Sequence, residues 1–450
     1  MAIPNPVAGA SLDGPGGPSL GEPIHKPLTE LEITLEANRC LNCYDAPCMR
    51  ACPTHIDVAS FIGKIATGNL KGSARVILDA NPMGASCARV CPTEELCEGA
   101  CVYKKDDTPI RIGDLQRYSI DWVMEHDVDL FAPGPATGKK VAIIGGGPAG
   151  LSAARDLRRI GHAVTIFEAR DGLNGLNTYG IVPFRLSTDV ALWEAQQVVK
   201  LGVDVRTGVR IGVDVSMDSL MKDFDSVVLA CGMGNVPKLG IPGEDLLNVW
   251  DALDFIERAK LGKSVGQLGN HVAVIGAGNT AIDALTCSKR LGVERVTMYY
   301  RRGEEQMTAY DFEYEFAKME GIEFRFFCAP RRIIGNGQVS AVEFVKTTIP
   351  AGASAPVTVP GSEFVEPVSA VIRAIGQSRL ADTFSAVGSE TDGGVVRVDE
   401  ALRTSRAGVF AAGDCIFEKG MREAMVVEAA EQGKLAARSV DAFLRQGVRA

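Results

Sequence analysis

The chain has 450 residues, 46% of them hydrophobic and 23% charged, which is typical of globular proteins and too long for a single core. Its formal net charge of −9 argues against nucleic acid or an anionic membrane surface as a partner. It contains no apolar run of about 18 residues and no secretory signal pattern. We therefore expect a cytoplasmic protein with no membrane-spanning segment.

Residues 1–27 are rich in proline and glycine, which predicts an irregular lead-in. Residues 28–130 come next, and we expect a small helical domain there. Between positions 56 and 78 apolar residues recur at helical spacing, and Asn69 and Gly72 divide this stretch into two helices. Another helix begins at Ile112. A Pro/Gly linker then covers 131–140.

The helical domain contains two runs of four cysteines, which are Cys40, Cys43, Cys48 and Cys52, then Cys87, Cys91, Cys97 and Cys101. The first run is C-x2-C-x4-C-x3-C-P, wider in its middle gap than a bacterial ferredoxin run. Its first three thiolates can still wrap one cluster while the fourth reaches a second. Zinc is less favoured because only one C-x2-C knuckle is present, and disulfides because the expected compartment is reducing. Iron–sulfur clusters are the prediction.

At residue 141 the pattern changes to strand, glycine turn, helix and strand. The G-x-G-x-x-G turn contains Gly145, Gly147, Pro148, Ala149 and Gly150. Such a turn brings a pyrophosphate to the N-terminus of the following helix. Glu168 ends the second strand, where a carboxylate can hold both hydroxyls of an adenosine ribose. We predict FAD here; the alternative is a purely structural glycine turn.

A second strand–turn–helix unit carries the G-x-G-x-x-A variant, with Gly276, Gly278, Asn279 and Thr280. Its second strand ends in Arg301 and Arg302, where the first unit has an acid. Arginine there can bind a 2′-phosphate through charge-assisted hydrogen bonds, which favours NADPH. Two glutamates follow closely, so NADH stays possible. The alternative is that the arginines are a solvated strand end.

Near the end of the chain, a strand leads into Gly413-Asp414 and then a long helix. The Asp414 carboxylate can bind the ribityl and phosphate region of a flavin, and the helix can aim its N-terminus at the ring. No pattern indicates a catalytic nucleophile, acid or base. No C-x-x-C or C-x4-C pair lies near the flavin strands, so a redox-active disulfide is not expected. Electrons leaving the flavin should therefore pass to the cysteine domain.

These elements predict an α/β protein with an N-terminal α-helical Fe–S domain and two Rossmann-like nucleotide-binding domains. The NAD(P)H domain is inserted in the FAD domain. The predicted limits are 28–130 for the Fe–S domain, 139–250 and 371–450 for the two parts of the FAD domain, and 251–370 for the NAD(P)H domain.

Several segments together resemble a known family, among them CYDAPCMRACPTHIDVASFI, NPMGASCARVCPTEELCEGAC, IRIGDLQRY, YGIVPFRL and GAGNTAIDALT. The chain resembles the small subunit of glutamate synthase. It is more closely similar to the N-terminal half of dihydropyrimidine dehydrogenase and the separate flavin subunit of its bacterial form. The resemblance runs from about residue 28 to the C-terminus.

The resemblance implies two [4Fe–4S] clusters with two ligand sets, Cys40, Cys43, Cys48 and Cys101 for one and Cys52, Cys91, Cys97 and Gln116 for the other. Cys87 would then not be a ligand. Gln116 favours the pyrimidine branch, because glutamate synthase small subunits usually have Glu at that place. Gly175, Leu176 and Arg185 would belong to the flavin-side loop, in which Asn174 and Ser187 depart from the family pattern.

The resemblance also implies an electron-input subunit. It would oxidise NADPH, pass hydride to FAD, and pass single electrons through two clusters to a partner in a hetero-oligomer. That FMN- and Fe–S-containing catalytic subunit would reduce uracil or thymine to 5,6-dihydropyrimidines in pyrimidine catabolism. The sequence shows no barrel or FMN site, so we expect no pyrimidine reduction without the partner. The alternatives are the small subunit of glutamate synthase or of a related NADPH/ferredoxin transhydrogenase, and a scaffold subunit without redox work.

Overall fold

The computed structural model describes residues 20–105, 108–417 and 424–446, so most of the predicted lead-in, 1–19, lies outside the described residues. Every described helix is too short or too polar to span a bilayer. The helices in these residues are α1 (Glu30–Arg39), α2 (Pro47–Ala51), α3 (Val58–Ala66), α4 (Leu70–Ala80), α5 (Gly84–Val90), α6 (Ile112–Glu125), α7 (Pro148–Ile160), α8 (Gly175–Tyr179), α9 (Thr188–Val199), α10 (Met217–Asp223), α11 (Ala252–Lys260), α12 (Asn279–Arg290), α13 (Asp311–Met319), α14 (Ala381–Ala386) and α15 (Val426–Gln446).

The strands in the described residues are β1 (Lys140–Ile144), β2 (Ala163–Phe167), β3 (Asp204–Arg206), β4 (Ser226–Leu229), β5 (Val249–Asp251), β6 (His271–Ile275), β7 (Arg295–Tyr299), β8 (Glu323–Arg325), β9 (Cys328–Asn336), β10 (Gln338–Thr348), β11 (Val357–Thr358), β12 (Phe364–Pro367), β13 (Ala370–Arg373), β14 (Thr391–Asp392), β15 (Val395–Val396) and β16 (Val409–Ala411).

Helices α1 to α6 form the N-terminal domain around a core that includes Phe61, Ile77 and Leu115, all fully buried. The predicted break between α3 and α4 is confirmed, and its cause is a cap. The Asn69 side chain accepts a hydrogen bond from the Gly72 N–H at 2.9 Å, which satisfies one of the free donors at the start of α4. The helix predicted from Ile112 is α6.

The first nucleotide-binding sheet has the strand order β16-β4-β1-β2-β3, and all its pairs are parallel. Strand β16 pairs with β4 in the register Val409↔Val227, so this sheet is built from two distant pieces of sequence. Helix α15 packs against α7 on one face of the sheet. The predicted insertion of one Rossmann-like domain into the other is confirmed.

The second sheet has the order β5-β13-β6-β7-β8 and is also fully parallel. It lies in sequence between β4 and β16 of the first sheet. Its outermost residues in sequence are Val249 and Arg373, so the predicted limits 251 and 370 fall inside β5 and β13. We therefore propose that this domain extends from Val249 to Arg373, the two ends of its own sheet.

A small antiparallel sheet covers the second sheet, and the sequence patterns did not predict it. Strand β10 pairs with β9, β11 and β12, and β9 turns into β10 at Gly337, where φ is +77°. The Phe344 ring of β10 stacks on the Tyr299 ring of β7 with 4.0 Å between centroids. The inserted domain is therefore two packed sheets rather than a bare Rossmann unit.

Candidate functional site

A cavity of about 320 Å³ opens at the carboxyl ends of β1, β2 and β4, beside the first glycine turn. Crevices at this edge of parallel sheets are where dinucleotides bind in such folds. Most of the residues predicted for the flavin line this cavity, namely Gly145, Gly147, Pro148, Ala149, Glu168, Gly175, Leu176, Gly413 and Asp414. The structure thus brings together residues from three distant segments.

The glycines of the first turn have steric reasons to lack a side chain. Gly145 has a φ of +106°, and a Cβ there would lie 2.3 Å from the Ala230 carbonyl oxygen. A Cβ on Gly150, which lies in α7, would meet the Gly145 carbonyl oxygen at 2.0 Å. The backbone of the turn and the start of α7 therefore border the cavity, where the free N–H groups of the helix could bind an anion.

Glu168 is buried at the end of β2, and hydrogen bonds fix its carboxylate. One oxygen accepts from the Gly146 N–H and the other from the Arg170 N–H, both at 2.8 Å. Each oxygen keeps a further lone pair. The side chain is therefore held rigidly at the cavity wall, as a ribose-binding carboxylate requires.

Asp414 follows Gly413 at the end of β16. Gly413 has a φ of +80°, and its N–H donates to the Gln432 side chain of α15 at 2.7 Å. Burial raises the pKa of Asp414 to about 6, while nearby Arg379 acts in the opposite direction. A carboxyl group in this state can accept hydrogen bonds from the hydroxyl groups of a sugar chain.

The flavin-side loop explains one departure from the family pattern. Asn174 has a φ of +74°, a left-handed conformation that asparagine adopts more readily than most residues. Its Nδ2 donates to the Ala191 carbonyl oxygen at 2.8 Å, and its backbone N–H to the Gly146 carbonyl oxygen at 2.7 Å. Asparagine can therefore occupy this left-handed position and hold the loop against the first turn.

Arg185 lies elsewhere. Its guanidinium pairs with Asp283 of α12 at 3.1 Å and with Glu313 of α13 at 2.6 Å. It lines a different cavity, of about 500 Å³, between the helical domain and the two nucleotide-binding domains. The structure therefore gives Arg185 a role in joining domains, and its predicted role in cofactor binding stays a prediction.

Two further cysteines lie near the flavin cavity. Cys231 lines it, and Cys415 is buried beside it; both are free thiols. Burial raises the pKa of Cys231 to about 12 and also raises that of Cys415. These groups are thiols rather than thiolates near neutral pH, which disfavours thiol–disulfide chemistry at the flavin.

The second glycine turn repeats the geometry of the first. Gly276 has a φ of +137°, and a Cβ there would lie 2.1 Å from the Ala374 carbonyl oxygen. Gly278 precedes α12, whose first turn contains Asn279 and Thr280. The Asn279 side chain accepts from the Tyr310 N–H at 3.0 Å. The turn thus leads into a helix N-terminus at the carboxyl edge of the second sheet.

Arg301 and Arg302 follow the end of β7 and differ in their surroundings. Arg301 is exposed, and its carbonyl oxygen accepts from the Thr347 hydroxyl at 2.8 Å. Arg302 is half-buried, and its Nε is buried without a hydrogen-bond partner among the described residues. An unpaired guanidinium donor beside a nucleotide-binding turn is compatible with an anionic ligand such as a 2′-phosphate.

The first predicted ligand set converges. Cys40, Cys43, Cys48 and Cys101 line one small cavity, whose other walls are mainly apolar. All twelve cysteines of the chain are free, which excludes disulfides in this structure. In the described residues no three metal-binding side chains meet at the spacing of a single ion. Four convergent thiols are soft donors of the kind that hold iron–sulfur clusters.

The second set lies deeper. Burial raises the pKa of the Cys97 thiol, with Cys52 among its neighbours. A hydrogen bond with Cys87, together with burial, raises the pKa of the Cys91 thiol. Gln116 is also buried, and its Nε2 donates to the Gly84 carbonyl oxygen at 2.7 Å. Cys87 thus lies in α5 and Gln116 contacts the first residue of that helix, and the choice between them as fourth ligand stays a prediction.

A buried polar network that the sequence patterns missed joins the helical domain to the flavin loop. Glu194 of α9 accepts from the Ser86 N–H at 2.8 Å, from the Ser86 hydroxyl, and from Asn174 Nδ2 at 3.4 Å. Burial raises the pKa of Glu194 to about 7. The sequence feature that could have indicated a buried position for Glu194 is its place on the apolar face of α9, between Ala191 and Val198.

Lys260 extends this network into the NAD(P)H-binding domain. It is fully buried at the end of α11, and its Nζ donates to the carbonyl oxygens of Asn177 at 2.6 Å and Ile181 at 2.7 Å. Burial lowers its pKa to about 7. The segment from Asn174 to Ile181 therefore contacts both other domains. No sequence motif predicts the role of this lysine.

Comparison with known proteins finds two families that match successive parts of the chain. Residues 21–128 match the family described as dihydropyrimidine dehydrogenase domain II, 4Fe-4S cluster. Residues 139–433 match the pyridine nucleotide-disulphide oxidoreductase family. Together the two matches cover the helical domain and both nucleotide-binding sheets.

Curated relatives are similar along most of the chain. The glutamate synthase [NADPH] small chain of Escherichia coli is 33% identical over 92% of this chain and 92% of its own length. The NAD-dependent dihydropyrimidine dehydrogenase subunit PreT of the same organism is 33% identical over 92% and 95%. The NADP(+)-dependent formate dehydrogenase subunit beta of Moorella thermoacetica is 35% identical. That similarity extends over 89% of this chain but only 60% of the longer relative.

Solved structures share the fold of the nucleotide-binding part. FprA from Mycobacterium tuberculosis superposes with a TM-score of 0.57 at 18% identity, over 70% of this chain and 87% of that one. Thioredoxin reductase from T. acidophilum gives a TM-score of 0.53 at 21% identity, over 68% and 99%. At these identities the likeness shows the fold alone.

Proposed function

The chain belongs to the glutamate synthase small chain family, and from that membership we propose that it is the electron-input subunit of a dihydropyrimidine dehydrogenase. It is an NAD(P)H oxidoreductase subunit with an FAD/NAD(P)-binding part and a 4Fe-4S cluster domain. The proposed electron donor is NADPH, with NADH as the alternative. The proposed partner is an FMN- and Fe–S-containing subunit that reduces uracil or thymine.

The observation that carries the electron-input function is the direct contact between the flavin cavity and the cysteine domain. Asn177 lines the cavity, and its Nδ2 donates to the Ser86 hydroxyl oxygen at 3.1 Å. Ser86 lies in α5, the helix that ends one residue before Cys91. A cofactor in the cavity is therefore close, through one layer of side chains, to the deeper cysteine set.

The side chains have separate tasks in this proposal. Backbone N–H groups at the start of α7 bind the pyrophosphate, and the fixed Glu168 carboxylate binds the ribose. The two cysteine sets hold two [4Fe–4S] clusters, one beside the flavin domain and one nearer the surface. A bound flavin supplies what no side chain here provides, since it accepts two electrons together and releases them singly.

The pyrimidine branch is favoured by Gln116. Its Nε2 donates to the Gly84 carbonyl oxygen, which directs the amide oxygen away from that contact. A neutral amide oxygen in place of a carboxylate or thiolate is the ligand that the pyrimidine branch implies. PreT, a relative of similar identity, is a dihydropyrimidine dehydrogenase subunit by name.

The test is anaerobic co-expression with the FMN- and Fe–S-containing catalytic subunit of a dihydropyrimidine dehydrogenase. The NADPH-dependent loss of uracil is then measured. We expect turnover with the pair and none with either subunit alone. A matched control is the Cys97→Ser variant, which should still reduce flavin but not uracil. Absence of uracil reduction by a stable, fully loaded complex would refute the pyrimidine assignment.

A second candidate function is the small subunit of a glutamate synthase or of an NADPH/ferredoxin transhydrogenase. The glutamate synthase small chain of Escherichia coli is as similar to this chain as PreT, over nearly the same share of its length. Purification of the chain from its natural source, with identification of the bound subunit, separates the candidates. An amidotransferase subunit would favour glutamate synthase, and a second flavoprotein the transhydrogenase.

A further inference from the structure

Asn177 is an unexpected polar residue in the wall of the flavin cavity. It lies in α8, within the loop that begins at Asn174, and only 1% of its surface is exposed. It lines the cavity together with Gly175 and Leu176. Those two neighbours present only backbone and apolar groups, so Asn177 is the polar side chain of this part of the wall.

The orientation of the Asn177 amide is set by its neighbours. Its Nδ2 donates to the Ser86 hydroxyl oxygen at 3.1 Å and to Asn174 Oδ1 at 3.3 Å. Ser86 gives its single hydroxyl proton to Glu194, so its oxygen can only accept from Asn177. Asn174 uses its own Nδ2 on the Ala191 carbonyl oxygen, so its Oδ1 must be the atom that faces Asn177.

This arrangement leaves the amide oxygen of Asn177 without a partner among the described residues. Both neighbours require the NH₂ group of Asn177 on their side, and the amide oxygen Oδ1 is buried with no hydrogen-bond partner in the described part of the chain. Buried amide oxygens are nearly always paired, because leaving one unpaired costs free energy. A donor from outside the protein is therefore expected at this oxygen, and Asn177 borders the cavity that such a donor would occupy.

We propose that Asn177 Oδ1 accepts a hydrogen bond from a ring N–H group of the bound flavin. This inference rests on the proposed function, because it assumes FAD in the cavity. The chemistry matches, since an oxidised flavin ring carries one N–H group and a reduced ring carries more, whereas its other polar edge atoms are acceptors. Asn177 thus contacts the cofactor itself and contributes to its affinity.

The same residue is anchored on its other side. Its backbone carbonyl oxygen accepts from the buried Lys260 Nζ at 2.6 Å. The side chain is tied to α5 through Ser86 and the backbone to α11 through Lys260. The acceptor oxygen is therefore held in position by contacts from both neighbouring domains, which reduces the entropy lost when a ligand binds to it.

The experiment compares Asn177→Leu with Ser86→Ala in the full chain, using FAD as the probe. Leucine keeps the approximate shape of asparagine but lacks the oxygen. Alanine at 86 breaks the network yet leaves the Asn177 oxygen. For Asn177→Leu we expect the FAD dissociation constant of the flavin-depleted protein to rise about tenfold, the loss of roughly one hydrogen bond. Ser86→Ala should raise the dissociation constant less, by at most about threefold, because Asn174 and Lys260 still hold Asn177 in place.

The flavin midpoint potential and visible spectrum of both variants are the second readout. The proposal is overturned if Asn177→Leu matches wild type in affinity, potential and spectrum, since a buried water would then satisfy the oxygen. It is also overturned if Ser86→Ala gives the same loss, because the network would then be the cause. Asn177→Ser, which is too short to reach, replaces the leucine variant if that one does not fold. A wild-type protein that binds no FAD would instead refute the proposed function.

Discussion

Arg301 and Arg302 show how two adjacent residues of one type can have different roles. Arg301 is exposed beyond the end of β7, whereas Arg302 has a buried, unpaired Nε. The curated relatives do not decide the nucleotide, because the glutamate synthase small chain is named for NADPH and PreT for NAD. The choice therefore depends on whether these guanidinium groups bind a 2′-phosphate.

We predict that Arg301→Ala raises the KM for NADPH about tenfold, because a charge-assisted hydrogen bond contributes roughly 1.5 kcal/mol or more. The KM for NADH should change less than about twofold, since NADH lacks the phosphate. Steady-state reduction of a dye acceptor measures both constants. Arg331→Ala, an exposed arginine of β9, is the control. Equal effects on the two nucleotides would show that Arg301 does not read the phosphate.

The fourth ligand of the deeper cysteine set is a second question at this scale. The Cys87 thiol is hydrogen-bonded to Cys91, and Gln116 is held by the Gly84 carbonyl oxygen. We predict that Cys87→Ala keeps about eight irons per chain, as two [4Fe–4S] clusters require. Gln116→Ala should change the paramagnetic resonance signal of one cluster. Iron analysis and spectroscopy of the reduced proteins provide the test, and loss of about four irons in Cys87→Ala would make Cys87 the ligand.

The residues with a fixed local role could be recognised from sequence. Glycine turns need positive φ or close approach, and cysteine runs have few other uses, so Gly145, Gly276 and the thiols were predictable. Glu194 and Lys260 were not, because their partners lie 108 and 83 positions away. A buried charge without a motif is visible only when the elements that surround it are in place.

At the level of elements, α9 joins the flavin loop to the helical domain through one carboxyl group. Glu194 receives hydrogen bonds from Ser86 of α5 and Asn174 before α8, and no cation among the described residues pairs with it. Burial without a positive partner favours the protonated form, which is why its pKa rises to about 7. The docking of α5 on α9 should therefore depend on pH.

We predict that lowering the pH from about 7 to 4.5 stabilises wild type relative to Glu194→Gln. The folded-state pKa of Glu194 is about 7 and its ordinary value 4.5, so the folded protein binds the extra proton in this window. The contribution to the free energy of unfolding is present below pH 4.5 and is lost as the pH rises through about 7. Its full size is on the order of 3 kcal/mol.

Thermal midpoints of both proteins across this pH range provide the measurement, taken as differences because a multidomain chain does not unfold in one step. Asp189→Asn, which removes an exposed carboxyl group from the first turn of the same helix, is the matched control for the loss of one carboxylate. A constant difference between wild type and Glu194→Gln would mean that Glu194 titrates normally.

At the scale of the whole molecule, the first cysteine set lies beside exposed apolar side chains. This set consists of Cys40, Cys43, Cys48 and Cys101. Leu41 and Val102 line its cavity and are 60% and 41% exposed. Tyr44, in the loop between Cys43 and Cys48, is fully exposed. We propose that these exposed apolar groups, beside the proposed cluster, form a contact surface for another protein. The relatives PreT and formate dehydrogenase subunit beta are named as subunits.

We predict that Tyr44→Asp lowers the rate of electron transfer to the partner subunit about tenfold at limiting partner concentration, which corresponds to about 1.4 kcal/mol. Reduction of ferricyanide, a small acceptor, should be unchanged because the clusters and flavin are untouched. Leu247→Asp, which charges a 70% exposed leucine before β5, is the control. If both variants transfer electrons to the partner at the wild-type rate, the contact surface lies elsewhere.

The general architecture followed from sequence because strand–turn–helix units carry strong patterns and short connections. The antiparallel sheet β9 to β12 did not, because its strands mix exposed and buried positions irregularly and β9 and β10 meet through register shifts. The ends of the inserted domain were also hard to place. Strands β5 and β13 pair with each other although they are separated by the rest of the sheet in sequence.

The pairing of β16 with β4 has a consequence for the newly made chain. Ser226 of β4 donates its hydroxyl to the Gly408 carbonyl oxygen, across 182 positions of sequence. Every strand of the second sheet is translated within that interval. The inserted domain is therefore fully synthesised before the edge strand β16 of the first sheet and helix α15 are made. The order of synthesis makes the inserted domain the first Rossmann unit able to fold, and FAD can be enclosed only after it.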